Sequence, residues 1–240
     1  TKETEETKKT KTETETETAK DLTAEEKYLN SSSEYQNSLK MVTDLEKELE
    51  DYEKNKDNYQ AQLDYIKENH KGWFGIGIAK AYENEYDSIK AKIEKGESLQ
   101  KQKEAAEKLA EETKQKVLLE RELQNKRNTQ YAYSHAGADN LSYKKATLDV
   151  LVLEAQLAEV KMAVFDAQGG YLESVSYVDP EKYDKFLKEI CKDELGRRHF
   201  EGSELGSDYE SKKKAIKDYI GKNISTLDKE TIEKYKQYVD

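Results

Sequence analysis

Residues 42–66 read VTDLEKELEDYEKNKDNYQAQLDYI. Apolar or aromatic side chains recur through this stretch at alternating steps of three and four, at Val42, Leu45, Leu49, Tyr52, Tyr59, Leu63 and Ile66. Lys56 is the one polar occupant of the series. The spacing places all of them on one side of an α-helix and makes a heptad seam. The positions between are almost entirely Glu, Lys, Asp, Asn and Gln, so the apolar stripe is narrow and needs a partner to cover it. The same register reaches back to Tyr35 and Tyr28, and Thr23 with Glu26 forms a capping box where the pattern begins. One helix from about residue 24 to 70 is expected, roughly 70 Å long at ~1.5 Å per residue.

The partner lies downstream. After the expected stop near Asn69 to Gly72 comes Gly72-Trp-Phe-Gly-Ile-Gly-Ile-Ala79, apolar, rich in glycine and holding the sole Trp. A second one-sided pattern then runs through Ala79, Tyr82, Tyr86, Ile89 and Ile93 and continues more weakly through Leu99, Ala106, Leu109, Val117 and Leu123. Two long amphipathic helices joined by a short loop fold back on each other, which predicts an antiparallel hairpin over 24–70 and 79–128 with residues 72–79 at its tip. Gly96 falls inside the second pattern and is read as a bend.

The pattern breaks between Tyr133 and Asn140, and a different helix follows. Leu148, Val150, Leu151, Val152, Leu153, Leu157, Val160, Met162, Val164 and Phe165 are distributed around all sides of it, which marks a buried central helix, with Gly169 and Gly170 expected to end it. Beyond, Asp179-Pro180 opens a short helix bearing Tyr183, Phe186, Leu187 and Ile190. Residues 196–206 read as polar loop, Ser207 with Glu210 as a capping box for a helix closed by Gly221, and Asp228 as the start of a last helix. The expected architecture is all-α: a charged tail over 1–22, an elongated antiparallel helical hairpin or coiled coil with a core helix over 23–170, and a small helical C-terminal region over 171–240.

Composition agrees with thin helical cores. Leu, Ile, Val and Phe make up 44 of 240 residues, while Ala, Glu, Leu, Lys and Arg supply nearly half of the chain and there is a single proline. Acids and bases nearly balance, 51 against 41, and mean hydropathy is −1.09. Tyrosines number 17 against four phenylalanines, as suits shallow seams or contact surfaces where a ring is covered and its hydroxyl reaches water. Residues 1–20 are almost wholly Thr, Lys and Glu, a composition that cannot bury apolar area. Within them Thr12, Thr14, Thr16 and Thr18 alternate with glutamates, a period suited to an extended tether laid on another chain. A chain opening on Thr1 is expected when an initiator Met or longer leader is removed, so a processed secreted or organellar protein fits, as does a cytoplasmic one.

The chemistry of an enzyme is not visible in the sequence. It holds no GxSxG, Walker, HExxH or EF-hand pattern, and the three histidines His70, His135 and His199 share no helical turn. The single cysteine, Cys191, reads as an inert thiol and not as a nucleophile paired with His199. Gly72 to Gly77 lacks phosphate-loop spacing and follows a helix instead of a strand. The basic groups Arg197-Arg198 and Lys212 to Lys214 are short and set in an acidic chain of pI about 5.1, which speaks against nucleic acid. Sequons at Asn30, Asn140 and Asn223 carry little weight. The expected function is a non-enzymatic structural or scaffold subunit, without metal or cofactor, whose partners are other protein subunits in a homo- or hetero-oligomer. Trp73, Phe74, Ile76, Ile78, Tyr52, Tyr59, Thr12, Thr14 and Thr16 are the candidate contact residues. The competing expectation is a secreted helical toxin or adhesin whose apolar tip meets a membrane or receptor, with membrane contact confined to residues 72–79.

Overall fold

The computed structural model describes residues 22–190 and 194–239, with residues 194–201 described by backbone alone. Among them are seven α-helices and no strands: α1 Ala24–Ser31, α2 Ser33–Asn69, α3 Glu83–Ser134, α4 Leu141–Val175, α5 Pro180–Ile190, α6 Glu194–Asn223 and α7 Lys229–Lys236. The all-α expectation holds, and so does the hairpin. α2 and α3 run antiparallel, and the seam residues Leu45, Leu63 and Ile66 are buried while Lys56 stays outside and pairs with Glu53.

The expected rod over 24–70 is interrupted at Ser32. Its side chain accepts a hydrogen bond from the Tyr35 amide and caps α2, while its own amide bonds to the Leu29 carbonyl at the end of α1. Three consecutive serines, Ser31 to Ser33, supply hydroxyls that compete with the helical backbone. The Thr23–Glu26 capping box is present as read. α1 then lies on α3, with Arg121 donating to the Ala24 carbonyl and stacking over the Tyr28 ring.

Gly96 is no bend, because α3 passes through it without a break. It is a place of close approach: a Cβ there would lie 2.0 Å from the Tyr52 ring. The glycine lets the Tyr52 side chain lie directly on the α3 backbone.

α4 is the central helix, folded back on α3 after a turn that Asn140 caps through the amides of Ser142 and Tyr143. It does not stop at Gly169 and Gly170 but runs on to Val175, because Tyr171, Leu172 and Val175 beyond them are buried. Burying such side chains is worth roughly 1.5–3 kcal/mol each, more than the ~1 kcal/mol that each helical glycine costs. Its faces serve different neighbours. Val164, Ala167, Tyr171 and Val175 meet Leu45 of α2, Leu99 and Leu109 of α3, and Phe186 of α5; Leu148, Val152 and Ala155 meet Ile216 and Ile220 of α6 and Tyr235 of α7.

The C-terminal region differs from expectation in one element. Residues 196–206 are helix and not loop, and Ser207 does not cap but donates to the Ser203 carbonyl one turn back within the continuous α6. Packing on α4 overrides the local glycine signal: Ile216 and Ile220 are buried, and Gly202 takes the Phe165 ring against its backbone. Pro180 does open α5 and Asp228 does cap α7.

The end of α4 divides the molecule. Asp179, just past that end, pairs with Lys95 of α3 at 2.6 Å, at the level where Tyr52 meets Gly96. Beyond this level α2 and α3 continue alone as a two-helix arm. Its core is Leu63, Ile66 and Ile89 with Tyr59, Ile78, Tyr82, Tyr86 and Ile93, and among the described residues none from α4 to α7 joins it. From Tyr52 to the end of α2 the arm is about 25 Å long at ~1.5 Å per residue.

Two outcomes follow from this packing. Gly96→Ala should destabilise the protein by about 1–3 kcal/mol despite alanine's better helix propensity, because the Tyr52 ring must move. In a Tyr52→Ala background the same change should turn neutral or stabilising, and denaturant melts of the four proteins measure it. The second outcome concerns pH. The Thr231 amide, then Lys145 and the Thr231 hydroxyl, hold the Asp228 carboxyl down to about 2. A depressed carboxylate stabilises fully above its ordinary value of 3.8 and loses that contribution as pH falls toward about 2. Melting temperature should therefore fall more steeply across this window in the wild type than in Asp228→Asn, which keeps the cap and removes the charge.

Candidate functional site at the hairpin tip

Thirteen residues, 70–82, join the arm's helices, and the first ten of them form a closed miniature hairpin. Lys71 and Ile78 make an antiparallel bridge, flanked by hydrogen bonds from the Gly72 amide to the Gly77 carbonyl at 3.0 Å and from the Ala79 amide to the His70 carbonyl at 2.8 Å. Inside it Trp73–Gly75 make a single 3₁₀ turn, with the Gly75 amide on the Gly72 carbonyl and the Ile76 amide on the Trp73 carbonyl. Gly72 is required by space, since a Cβ there would lie 2.4 Å from the Ile76 carbonyl oxygen. Gly75 and Gly77 adopt positive φ, as glycine does freely. Phe74 also adopts it, at φ 59°, a conformation that costs a residue with a Cβ roughly 1–2 kcal/mol.

The base of this loop is an aromatic stack. His70 lies on Tyr82 with ring centroids 3.6 Å apart, and Tyr65 meets His70 edge-on at 5.6 Å. These rings line a shallow cleft of about 340 Å³ together with Ile66 and Glu85. Sequence reasoning assigned Tyr82 to the seam and noted of His70 only that it shares no helical turn with another histidine, and so missed the stack. Aromatic residues placed symmetrically before and after a glycine-rich turn were the available signal.

Above the base the apolar side chains point away from the protein. Trp73, Phe74 and Ile76 are 84%, 90% and 79% exposed, whereas Ile78 is half-buried in the arm core. The Trp73 and Phe74 rings lie beside each other, with centroids 5.9 Å apart. Lys71 and Lys80 flank the loop, exposed and without an ion pair among the described residues, and they carry the only formal charges in residues 70–82.

The other candidate residues lie elsewhere. Tyr52 and Tyr59 face α3 within the hairpin, Tyr52 on Gly96 and Tyr59 beneath the Lys92 ammonium at 5.7 Å. Thr12, Thr14, Thr16 and Cys191 are outside the described residues, and the His199 side chain is not described.

The polar clusters of the body tie helices together. Asp149 of α4 accepts from the Tyr235 hydroxyl of α7 and from Lys126 of α3 at 3.0 Å; burial opposes its charge, but these partners outweigh burial and hold the carboxyl below its ordinary range. Burial, then the Asp149 hydrogen bond, pushes the Tyr235 phenol well up. Lys182 of α5 joins Glu48 of α2 at 2.7 Å across a groove of about 600 Å³. Tyr171 lies at the floor of that groove, its phenol raised by burial and then by Glu48. Among the described residues no group of three or more His, Cys, Asp or Glu side chains is placed to hold a metal ion, and no helix is long and apolar enough to cross a membrane.

No protein-family model, curated protein or solved structure matches this chain, so the site is read from its geometry.

The exposure of the sole Trp is directly measurable. Native Trp73 fluorescence should have the red-shifted emission of indole in water, with acrylamide quenching close to that of the urea-unfolded chain. A blue, quencher-protected emission in the free protein would mean that the ring folds back on the hairpin.

Proposed function

We propose that this chain is a non-enzymatic structural subunit of a larger assembly, a strut that holds an apolar contact surface clear of its own body. The observation that carries this reading is the exposure of Trp73, Phe74 and Ile76 on a loop whose backbone is closed by its own hydrogen bonds. Folding gains nothing from three large apolar side chains in water, and an exposed apolar cluster marks a contact site. The rest of the molecule suits a strut. Lys126–Asp149, Arg127–Glu154 and Lys212–Glu154 fix α4 to its neighbours, and Lys95–Asp179 fixes the root of the arm. Residues 1–22 serve as a tether in this reading, through their alternating Thr and Glu.

The test places a photoreactive p-benzoyl phenylalanine at position 74 of the full chain, in the cells that make it, and at position 177 as control. Tyr177 is 94% exposed in the α4–α5 turn, so exposure alone does not separate the two. A discrete adduct, protein or lipid, identified by mass spectrometry from position 74 and not from 177 is the expected result. Equal yields from both positions, or none from 74, would remove the tip from the function.

A further inference from the structure

We propose that the partner of the tip is the interfacial zone of an anionic lipid bilayer, entered end-on by Trp73, Phe74 and Ile76 while Lys71 and Lys80 meet the headgroups. This rests on the reading of the tip as the contact surface, and four observations choose lipid over a protein pocket.

The first is shape. The three side chains stand out from a convex loop, and a bilayer accepts a protruding wedge without a preformed cavity. Indole and phenyl rings on such a loop match the amphipathic boundary between headgroup and acyl chain.

The second is the state of the backbone. Peptide groups carried out of water need internal partners. At the tip the Gly72, Gly75, Ile76 and Ala79 amides bond within the loop, so four of its amides already have such partners, and the Trp73–Gly75 turn with the Lys71–Ile78 bridge makes a compact end.

Charge is the third. The whole chain carries −10, yet the tip carries only Lys71 and Lys80, and neither is paired among the described residues. The first acids along either helix, Glu68 and Glu83, sit behind the loop. Lysines on long apolar stems flanking an apolar wedge can reach anionic headgroups while the wedge is immersed.

The arm supplies the fourth. At about 25 Å it exceeds the roughly 8–10 Å Debye length of physiological salt, so the acidic body is held where its repulsion from an anionic surface is screened. Without the arm, a chain of this net charge would be repelled by the surface its tip fits. The positive φ of Phe74 agrees with this: backbone strain is retained where it aims a large ring outward, a pattern associated with functional sites.

The experiment uses the full chain and its one Trp as the probe. Vesicles of phosphatidylcholine alone and of equal parts phosphatidylcholine and phosphatidylserine are added, and Trp73 emission, acrylamide quenching and co-sedimentation are followed. The expected result is a blue shift and loss of quenching with the mixed vesicles, weaker with phosphatidylcholine alone and reduced by salt. Phe74→Ser with Ile76→Ser keeps the probe and should lower partitioning at least about tenfold at an unchanged melting temperature, since both side chains are exposed in the free protein. Lys71→Glu with Lys80→Glu should abolish the preference for phosphatidylserine. Equal binding to both vesicle types, or binding that survives Phe74→Ser/Ile76→Ser, overturns the inference. Unchanged Trp73 emission with both vesicles also overturns it. In that case a discrete protein adduct from position 74 leaves the strut reading standing with a protein partner, and the absence of any adduct removes both.

Discussion

The apolar stripe on α2 is too narrow to support a helix alone and too long to be covered by a loop. That constraint organises the rest of the chain. It forces α3 to lie antiparallel against α2, and α3 is then long enough to offer a second face to α4. α4 has apolar side chains all round, so it must be surrounded, and α5, α6 and α7 enclose it. Each layer is required by the apolar surface that the previous one leaves open. The layering stops where α4 stops, and the arm is what remains of the first pair.

Along the arm the balance changes character. In the body, burial is shared among several helices and ion pairs lie across their boundaries. In the arm, a single row of side chains between two helices carries the packing, helped by rings and lysine stems at its edges, such as Lys67 beside Tyr86. At the tip burial ceases, although the side chains there are among the most apolar of the chain. The interior rule that governs the other two zones is inverted at the tip, and this inversion is why the loop is read through a surrounding that the free protein lacks.

Most of the architecture was legible because the strongest signals were periodic. Leu45, Leu63 and Ile66 identified the seam, Leu148 to Val164 identified the enclosed helix, and caps at Thr23, Pro180 and Asp228 marked helix starts correctly. The misreadings share a cause. Gly96, Gly169, Gly170 and the glycines between 196 and 206 were taken as local breaks, whereas the decisive factor was what packs on either side of them: Tyr52 on Gly96, Phe165 on Gly202, and buried Tyr171 and Val175 beyond the pair in α4. Such contacts join residues tens of positions apart and leave no local trace. Ser32 failed in the opposite direction, a true break hidden in an uninterrupted heptad register. At the tip, composition singled out Trp73 and Phe74, but whether they fold inward depended on the turn geometry and the positive φ of Phe74, which no pattern of residue types encodes.

The early end of α4 also makes the molecule thermodynamically uneven. Leu63, Ile66 and Ile89 are the fully buried side chains of the arm, while the body has three interlocked clusters. Separating the two helices beyond Tyr52 breaks only the arm's contacts, so that opening costs less free energy than global unfolding and forms a cooperative unit of its own. The fold therefore contains a stable anchorage and a more labile end that can open and reclose while the anchorage stays intact. Amide exchange lifetimes should be graded along α2 and α3 accordingly, falling from the level of Gly96 toward the loop, so that one continuous helix is governed by two stabilities.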